Sequence, residues 1–215
     1  MIAPIFANRE FSKYPQEVHL GYKDEAIKRD DFFLSYVADI LDKHVARVAS
    51  PRILEWGTGF STFVFYDYIS LHGRGRLISI DNNKQYQEAF LSHLGGEDFF
   101  SPVIRNEVGP TQSFNDKGLH YASHAILETE PFHLIFIDGR RRMECMLNSL
   151  MVCNEDTCVV VDDGLRTRYL ITELFFDVSE VMGHGVVYKI KRQILDALKD
   201  DISLLREKIA STLRK

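Results

Sequence analysis

From residue 31 to 48 the chain reads DFFLSYVADILDKHVARV, with Phe33, Val37, Ile40, Leu41, His44, Val45 and Val48 three or four positions apart. That interval lines one face of a helix, so the segment predicts an amphipathic helix. Beyond it come short, almost wholly apolar runs: RILEW from 52, RLISID from 76, PVIRNEV from 102, FHLIFID from 132 and TCVVVDD from 157. Helical patterns over 61–72, 83–94, about 118–128 and 140–151 separate them. Runs apolar at nearly every position suit strands buried on both faces, and their alternation with helices predicts βα units. The expected fold is α/β, a doubly wound, Rossmann-like, mostly parallel sheet. After Asp163 the rhythm changes, because LITELFFDVSEVM and VVYKIKR flank GHG. A short helix, a strand, a glycine turn and a returning strand are expected there, closing the sheet with an antiparallel hairpin.

The two ends read differently from this centre. Residues 1–29 mix Phe6, Phe11, Tyr14 and Tyr22 with charges and show no period, which predicts an irregular arm or lid before a domain over 30–192. Residues 193–215 predict an amphipathic C-terminal helix. Leu195, Leu198, Ile202, Leu205 and Ile209 follow at intervals of 3, 4, 3 and 4. This a/d seam spans about three heptads, and it would lie on its own domain or join a homo-oligomer.

Composition narrows the partners. A chain of 215 residues, 45% hydrophobic, has enough apolar material for one substantial core rather than two. A formal net charge of −5 argues against nucleic acid, since gripping a phosphate backbone draws on clustered Lys and Arg. The three cysteines, Cys145, Cys153 and Cys158, form neither a CxxC pair nor a Cys/His metal spacing, and are expected reduced and buried. MIAPIFANREFSKYPQ lacks a basic region followed by a sustained apolar run, and no stretch approaches the ~18 apolar residues of a membrane span. A cytoplasmic protein without a membrane partner is expected.

The chemistry gathers where the predicted strands end. ILEWGTGFST, residues 53–62, runs from a strand through Glu55 into Gly57, Thr58 and Gly59, and then into Ser61 and a helix. Such a turn presents backbone N–H groups and a helix N-terminus to a nucleotide-like ligand. Asp81 ends the next strand, where its carboxylate would accept from ribose hydroxyls. A lone G-x-G fits a dinucleotide equally well. Two features turn the reading toward a cationic methyl donor. Glu55 would repel a pyrophosphate by roughly 1–4 kcal/mol but attract an ammonium and a sulfonium. Thr62 also stands where a dinucleotide fingerprint has its third glycine.

Taken in order, ILEWGTGFST, LISID, FHLIFIDG and VVVDDG resemble the successive motifs of the class I S-adenosylmethionine-dependent methyltransferases, over about residues 31–192. The resemblance implies a seven-stranded sheet of order 3-2-1-4-5-7-6. It implies that Glu55, Gly57 and Gly59 hold the methionine part of the cofactor and Asp81 its ribose, with Thr58, Ser61 and Asp138 also at the cofactor. The adenine would lie near residues 108–113.

Asp138 closes one strand, and Asp162 with Asp163 closes another. Converging oxygen ligands of this kind suit a hard divalent cation such as Mg²⁺, although strand-end aspartates also cap helices and turns. The pattern is similar to metal-dependent O-methyltransferases of the catechol type. That likeness makes Asp138, Asp162 and Asp163 the candidate metal ligands. Their catalytic lysine aligns here with Arg141, which stays charged and cannot act as a base. Asp138, Arg141 and, in the arm, His19 are therefore the candidate catalytic residues. Arginines follow both acidic strand ends, in DGRRR (Arg140, Arg141, Arg142) and DGLRTRY (Arg166, Arg168, before Tyr169). Guanidinium forks bind carboxylate and phosphate, so Arg140, Arg166, Arg168 and Tyr169 are candidate contacts for an anionic small-molecule or saccharide acceptor. The leading expectation is an S-adenosylmethionine-dependent O-methyltransferase. Its rivals are a non-catalytic methyltransferase-like assembly module and an NAD-dependent Rossmann enzyme.

Overall fold

The computed structural model describes residues 11–21, 25–105 and 121–213. Seven strands form one sheet: β3 (Arg52–Trp56), β4 (Arg76–Asp81), β5 (Phe100–Ile104), β6 (Leu134–Ile137), β7 (Cys158–Val161), β8 (Phe176–Met182) and β9 (Gly185–Ile190). Their spatial order is β5-β4-β3-β6-β7-β9-β8, with the first five parallel and β9 antiparallel to both neighbours. This is the doubly wound sheet with a terminal hairpin read from the chain, and its order is 3-2-1-4-5-7-6 when counted from β3. Pro102 lies in β5, an edge strand, where the missing N–H costs no central ladder bond.

Alternation within each strand divides the core. Ile53, Leu77, Leu134, Phe136, Cys158 and Val160 face one side, against α1 (Asp31–His44), α2 (Phe60–His72) and α3 (Lys84–Leu91). Leu54, Trp56, Ile78, Ile80, Ile135, Ile137 and Val159 face the other, where the packing comes from α4 (Arg142–Ser149), the 3-10 turn Tyr121–Leu127 and the start of α5 (Arg192–Leu213). The period of two thus turns each apolar run into two buried faces. Asp30 caps α1, its Oδ1 accepting from Phe32 N at 2.9 Å and Phe33 N at 3.3 Å.

Several local expectations need adjusting. The segment around 118–128 forms a 3-10 turn from Tyr121 rather than an α-helix, and residues 118–120 lie outside the described residues. Within the arm, β1 (Glu17–His19) and β2 (Ala26–Lys28) pair antiparallel, strands too short to leave a period in the sequence. The arm is tied down: Arg29 Nη1 donates to Phe11 O at 2.8 Å and Tyr14 O at 2.6 Å, and Tyr14 donates to Asp67 at 2.6 Å. Leu195 and Leu198 of the expected seam pack on the domain's own core, while the side chains of Leu205 and Ile209 lie outside the described residues. Cys145, Cys153 and Cys158 are free and buried. No helix among the described residues is long and apolar enough to cross a membrane.

Candidate active site

The strand ends converge on a cavity of about 760 Å³, within the ~300–1,000 Å³ range of small-molecule and cofactor sites. Gly57, Thr58, Gly59 and Phe60 form one wall, Asp81, Asn82 and Asn83 a second, and Asp138, Gly139, Arg140, Arg142 and Asp162 a third. Leu20, Glu25, Ile27 and Lys28 of the β1–β2 hairpin, with Phe33, line it as well. It therefore lies outside the carboxyl ends of β3, β4, β6 and β7, between the two halves of the sheet, where ligands of open α/β sheets bind.

The glycine turn is built for close approach. Gly57 has φ 104°, and a Cβ there would stand 2.6 Å from Gly139 N and 2.7 Å from Gly139 Cα. The β3–α2 loop thus rests directly on the β6–α4 loop. At Gly59 a Cβ would meet nothing within 4 Å, so the backbone is open on the cavity side. Gly59 N donates to Thr62 Oγ1 at 2.9 Å, and Thr62 N to Gly59 O at 3.1 Å, which starts α2 with its N-terminus at the cavity.

Glu55 lies beneath this turn with no exposure. Its carboxylate accepts from Ser61 Oγ at 2.5 Å, Thr62 Oγ1 at 2.7 Å and Ser79 Oγ at 2.5 Å. Burial pushes its pKa up to about 7, against the opposing pull of those three hydroxyls. Glu55 and Ser61 thus underlie the turn, whereas Gly57, Thr58 and Gly59 face the cavity. Asp81 is on the wall itself. Its Oδ2 accepts from Thr58 N at 3.1 Å and its Oδ1 from Asn83 N at 2.7 Å, so two backbone amides fix the carboxylate. Burial raises its pKa, opposed by those amides and by Arg140.

The acidic strand ends differ from expectation. Asp138, Asp162 and Asp163 do approach one another, but the Arg142 guanidinium lies among them. Nη2 donates to Asp138 Oδ1 at 2.8 Å and to Asp138 O at 3.3 Å. Nη1 donates to Asp162 O and stands 3.5 Å from Asp162 Oδ2 and 3.7 Å from Asp163 Oδ2. Nε donates to Gly139 O at 3.0 Å. Mg²⁺ needs near-ideal octahedral oxygen coordination at about 2.0–2.1 Å, and here a cation of the chain takes that place. The three aspartates do not fit a metal ion in this arrangement. Among the described residues no group of three or more His, Cys, Asp or Glu could hold one. Burial, and then the neighbouring Asp162 charge, raise the Asp138 pKa, with Arg142 opposing.

A second cavity of about 460 Å³ shares Gly139, Arg140 and Arg142 with the first and adds Arg141, Arg166, Arg168 and Tyr169. Arg141 pairs with Glu144 at 3.3 Å and lines this second cavity. Arg166 pairs with Asp163, and Arg168 stacks over the Tyr169 ring at 4.9 Å. His19 is elsewhere: its side chain is 74% exposed and pairs with Glu17 at 3.0 Å. Residues 108–113 lie outside the described residues.

Tyr121 carries no motif, and no signal in the chain marks it as a cavity wall; the hairpin residues lie in the segment expected as an arm or lid, without a motif of their own. Tyr121 packs its hydroxyl so tightly on Gly139 that a Cβ there would stand 1.8 Å away. Trp56, whose role the sequence left open, faces the core and donates Nε1–H to Tyr121 O at 2.9 Å. His124 is buried too. It accepts from Arg105 Nε at 3.2 Å, and burial, with the arginines nearby, holds its pKa down at about 4.

Residues 54–164, from the glycine turn through the second acidic strand end, match the family model of a methyltransferase domain. The chain belongs to that family. Its fold is that of the class I S-adenosylmethionine-dependent methyltransferases, and the protein is an enzyme of that kind. Among solved structures, a methyltransferase-like protein of Silicibacter pomeroyi is similar at 17% identity and TM-score 0.50, over 73% of this chain and 87% of that one. A ribosomal protein L11 methylase of Lactobacillus delbrueckii subsp. bulgaricus is similar at 14% identity and TM-score 0.52, over 76% and 81%. An SAH-bound methyltransferase of Podospora anserina is similar at 13% identity and TM-score 0.51, over 77% and 80%. At these identities the likeness concerns the fold. No curated protein matches the chain.

Proposed function

We propose that this methyltransferase moves the methyl group of S-adenosylmethionine to an oxygen of an anionic small-molecule or saccharide acceptor. The observation that carries the reading is the adjacency of the two cavities, a backbone-built site and an arginine-lined one that share Gly139, Arg140 and Arg142 in their walls. On this reading Asp81 receives the ribose hydroxyls, and the α2 N-terminus faces the methionine carboxylate. Glu55 acts from beneath, and where it is ionised its charge favours a cationic donor. The bound cofactor supplies an activated methyl group. The protein's own contribution is therefore chiefly to hold the two reactants in line. Asp138, on the wall of the first cavity next to the shared Gly139, takes the proton leaving the acceptor hydroxyl. A bound Mg²⁺ would have to displace Arg142 from its carboxylates, so assistance by a metal is left out of this reading.

Calorimetry with S-adenosylhomocysteine, S-adenosylmethionine and NAD tests the donor site. Both adenosyl compounds are expected to bind and NAD is not; the reverse would sink the reading. Asp81→Ala removes two ribose contacts to a charged acceptor, each worth roughly 1.5–3 kcal/mol. S-adenosylhomocysteine affinity is expected to fall by about 100-fold or more. An unchanged Kd would remove Asp81 from the cofactor site.

The acceptor side is tested separately. Once a screen of phosphorylated and carboxylated sugars yields a methylated product, Arg166→Ala and Arg168→Ala are each expected to raise the acceptor KM by about tenfold. Donor affinity should stay the same. Equal KM values in the variants would place the anion elsewhere.

A further inference from the structure

We infer that Arg142 is the resident cation of this site, held by the strand-end carboxylates in the place a divalent ion would take, so that the wild-type protein carries no metal there. The geometry supports this from both sides of the guanidinium. Its N–H groups reach the Asp138, Gly139 and Asp162 carbonyls as well as the Asp138 carboxylate, so the β6 and β7 ends are joined through one side chain. The Arg142 side chain is 14% exposed, and those of Asp162 and Asp138 are 16% and 29% exposed. Partly desolvated charges of this kind need a partner. The chain bends to provide it: Arg141 adopts the left-handed conformation, φ 50°, immediately before α4, and so does Asp163, φ 55°. Non-glycine residues enter that region at a cost, and the return here is a guanidinium folded back over the strand ends. Arginine is permanently charged, so this cation does not titrate away at any ordinary pH.

Arg142 is thus a positioning residue that fixes the place of Asp138 and Asp162. The inference rests on the proposed methyl-transfer reading only for that catalytic consequence, because the cation test needs no acceptor. Mn²⁺, added alone to the full-length protein and followed by the loss of its free-ion electron paramagnetic resonance signal, is the probe. Wild type and Arg142→Lys are expected to leave the signal unchanged. Arg142→Ala is expected to bind Mn²⁺ at least ~10-fold more tightly than wild type, and adding Asp162→Asn is expected to abolish that gain. Mn²⁺ binding by wild type that Asp162→Asn removes would overturn the inference, as would a folded Arg142→Ala that binds no better than wild type. Should Arg142→Ala not fold, nitrogen-15 spectra of the wild-type arginine side chains decide. The Arg142 resonance, assigned with Arg142→Lys, should be slow to rotate and unmoved by excess Mg²⁺, and a shift on adding Mg²⁺ overturns the inference. S-adenosylhomocysteine binding by wild type is measured in parallel. Its absence would sink the donor-site reading and leave the cation result standing.

Discussion

Alanine at position 57 is expected to destabilise the protein by roughly 2–6 kcal/mol, combining backbone strain with overpacking, and to abolish S-adenosylhomocysteine binding. Gly57 sits at φ 104°, where L side chains are strained, and its missing Cβ is the contact surface between two loops. The atoms a methyl group would meet are Gly139 N at 2.6 Å, Gly139 Cα at 2.7 Å and Asp138 C at 2.9 Å, all backbone. A flexible side chain could swing away, but backbone at the end of a central strand cannot. Gly139 is itself pinned from behind by the Tyr121 hydroxyl. The two loops must therefore part, and they carry the turn on one wall of the cavity and Asp138 on another. Urea unfolding measures the first effect and calorimetry the second. A folded Gly57→Ala protein with wild-type affinity would show that the loops do not need to touch.

Glu55 is expected to make the protein less stable as pH rises. Its carboxyl titrates near 7 in the folded state, against an ordinary value of 4.5. Between those values the folded protein holds a proton that the unfolded chain has released, so stability falls with rising pH across that window. Below it both states are protonated, and above it the buried carboxylate is ionised at a constant cost. A difference of that size corresponds to about 3 kcal/mol. Glu55→Gln should remove that part of the slope, so urea unfolding of wild type and variant from pH 4 to 8 should show curves converging at one end and diverging at the other. Parallel curves would mean that the three hydroxyls hold the carboxylate ionised throughout. The Asp81 carboxyl, also raised by burial, tilts stability the same way in both proteins, which is why the difference between them is the quantity to read.

The parts of the site readable in the chain are those determined by backbone. Gly57 and Gly59 were visible because they follow an apolar strand run and open a helical pattern, and the turn lies where the motif put it. The acidic strand ends were equally visible, but what binds them was not. DGRRR offers three adjacent arginines that look alike in sequence. Arg141 pairs with Glu144 and lines the second cavity, while the next residue, in the first turn of α4, folds back onto the aspartates. Which arginine does so depends on the left-handed turn at Arg141, and no periodicity encodes that. For His19, a place in the arm says nothing about which way a three-residue strand turns its side chains, and here the imidazole is exposed and pairs with Glu17.

By itself the sequence determined the doubly wound sheet, its antiparallel close and the edge at which chemistry collects. Apolar runs buried on two faces leave few other packings, and a parallel sheet exposes its loops at only one carboxyl edge. The tertiary structure alone decided what those loops make together. It put the β1–β2 hairpin on the wall of the first cavity, sealed Glu55 under three hydroxyls, and set Arg142 among the acidic trio. Each of these rests on contacts between residues far apart in the chain or on a single backbone angle. Local pattern constrains neither.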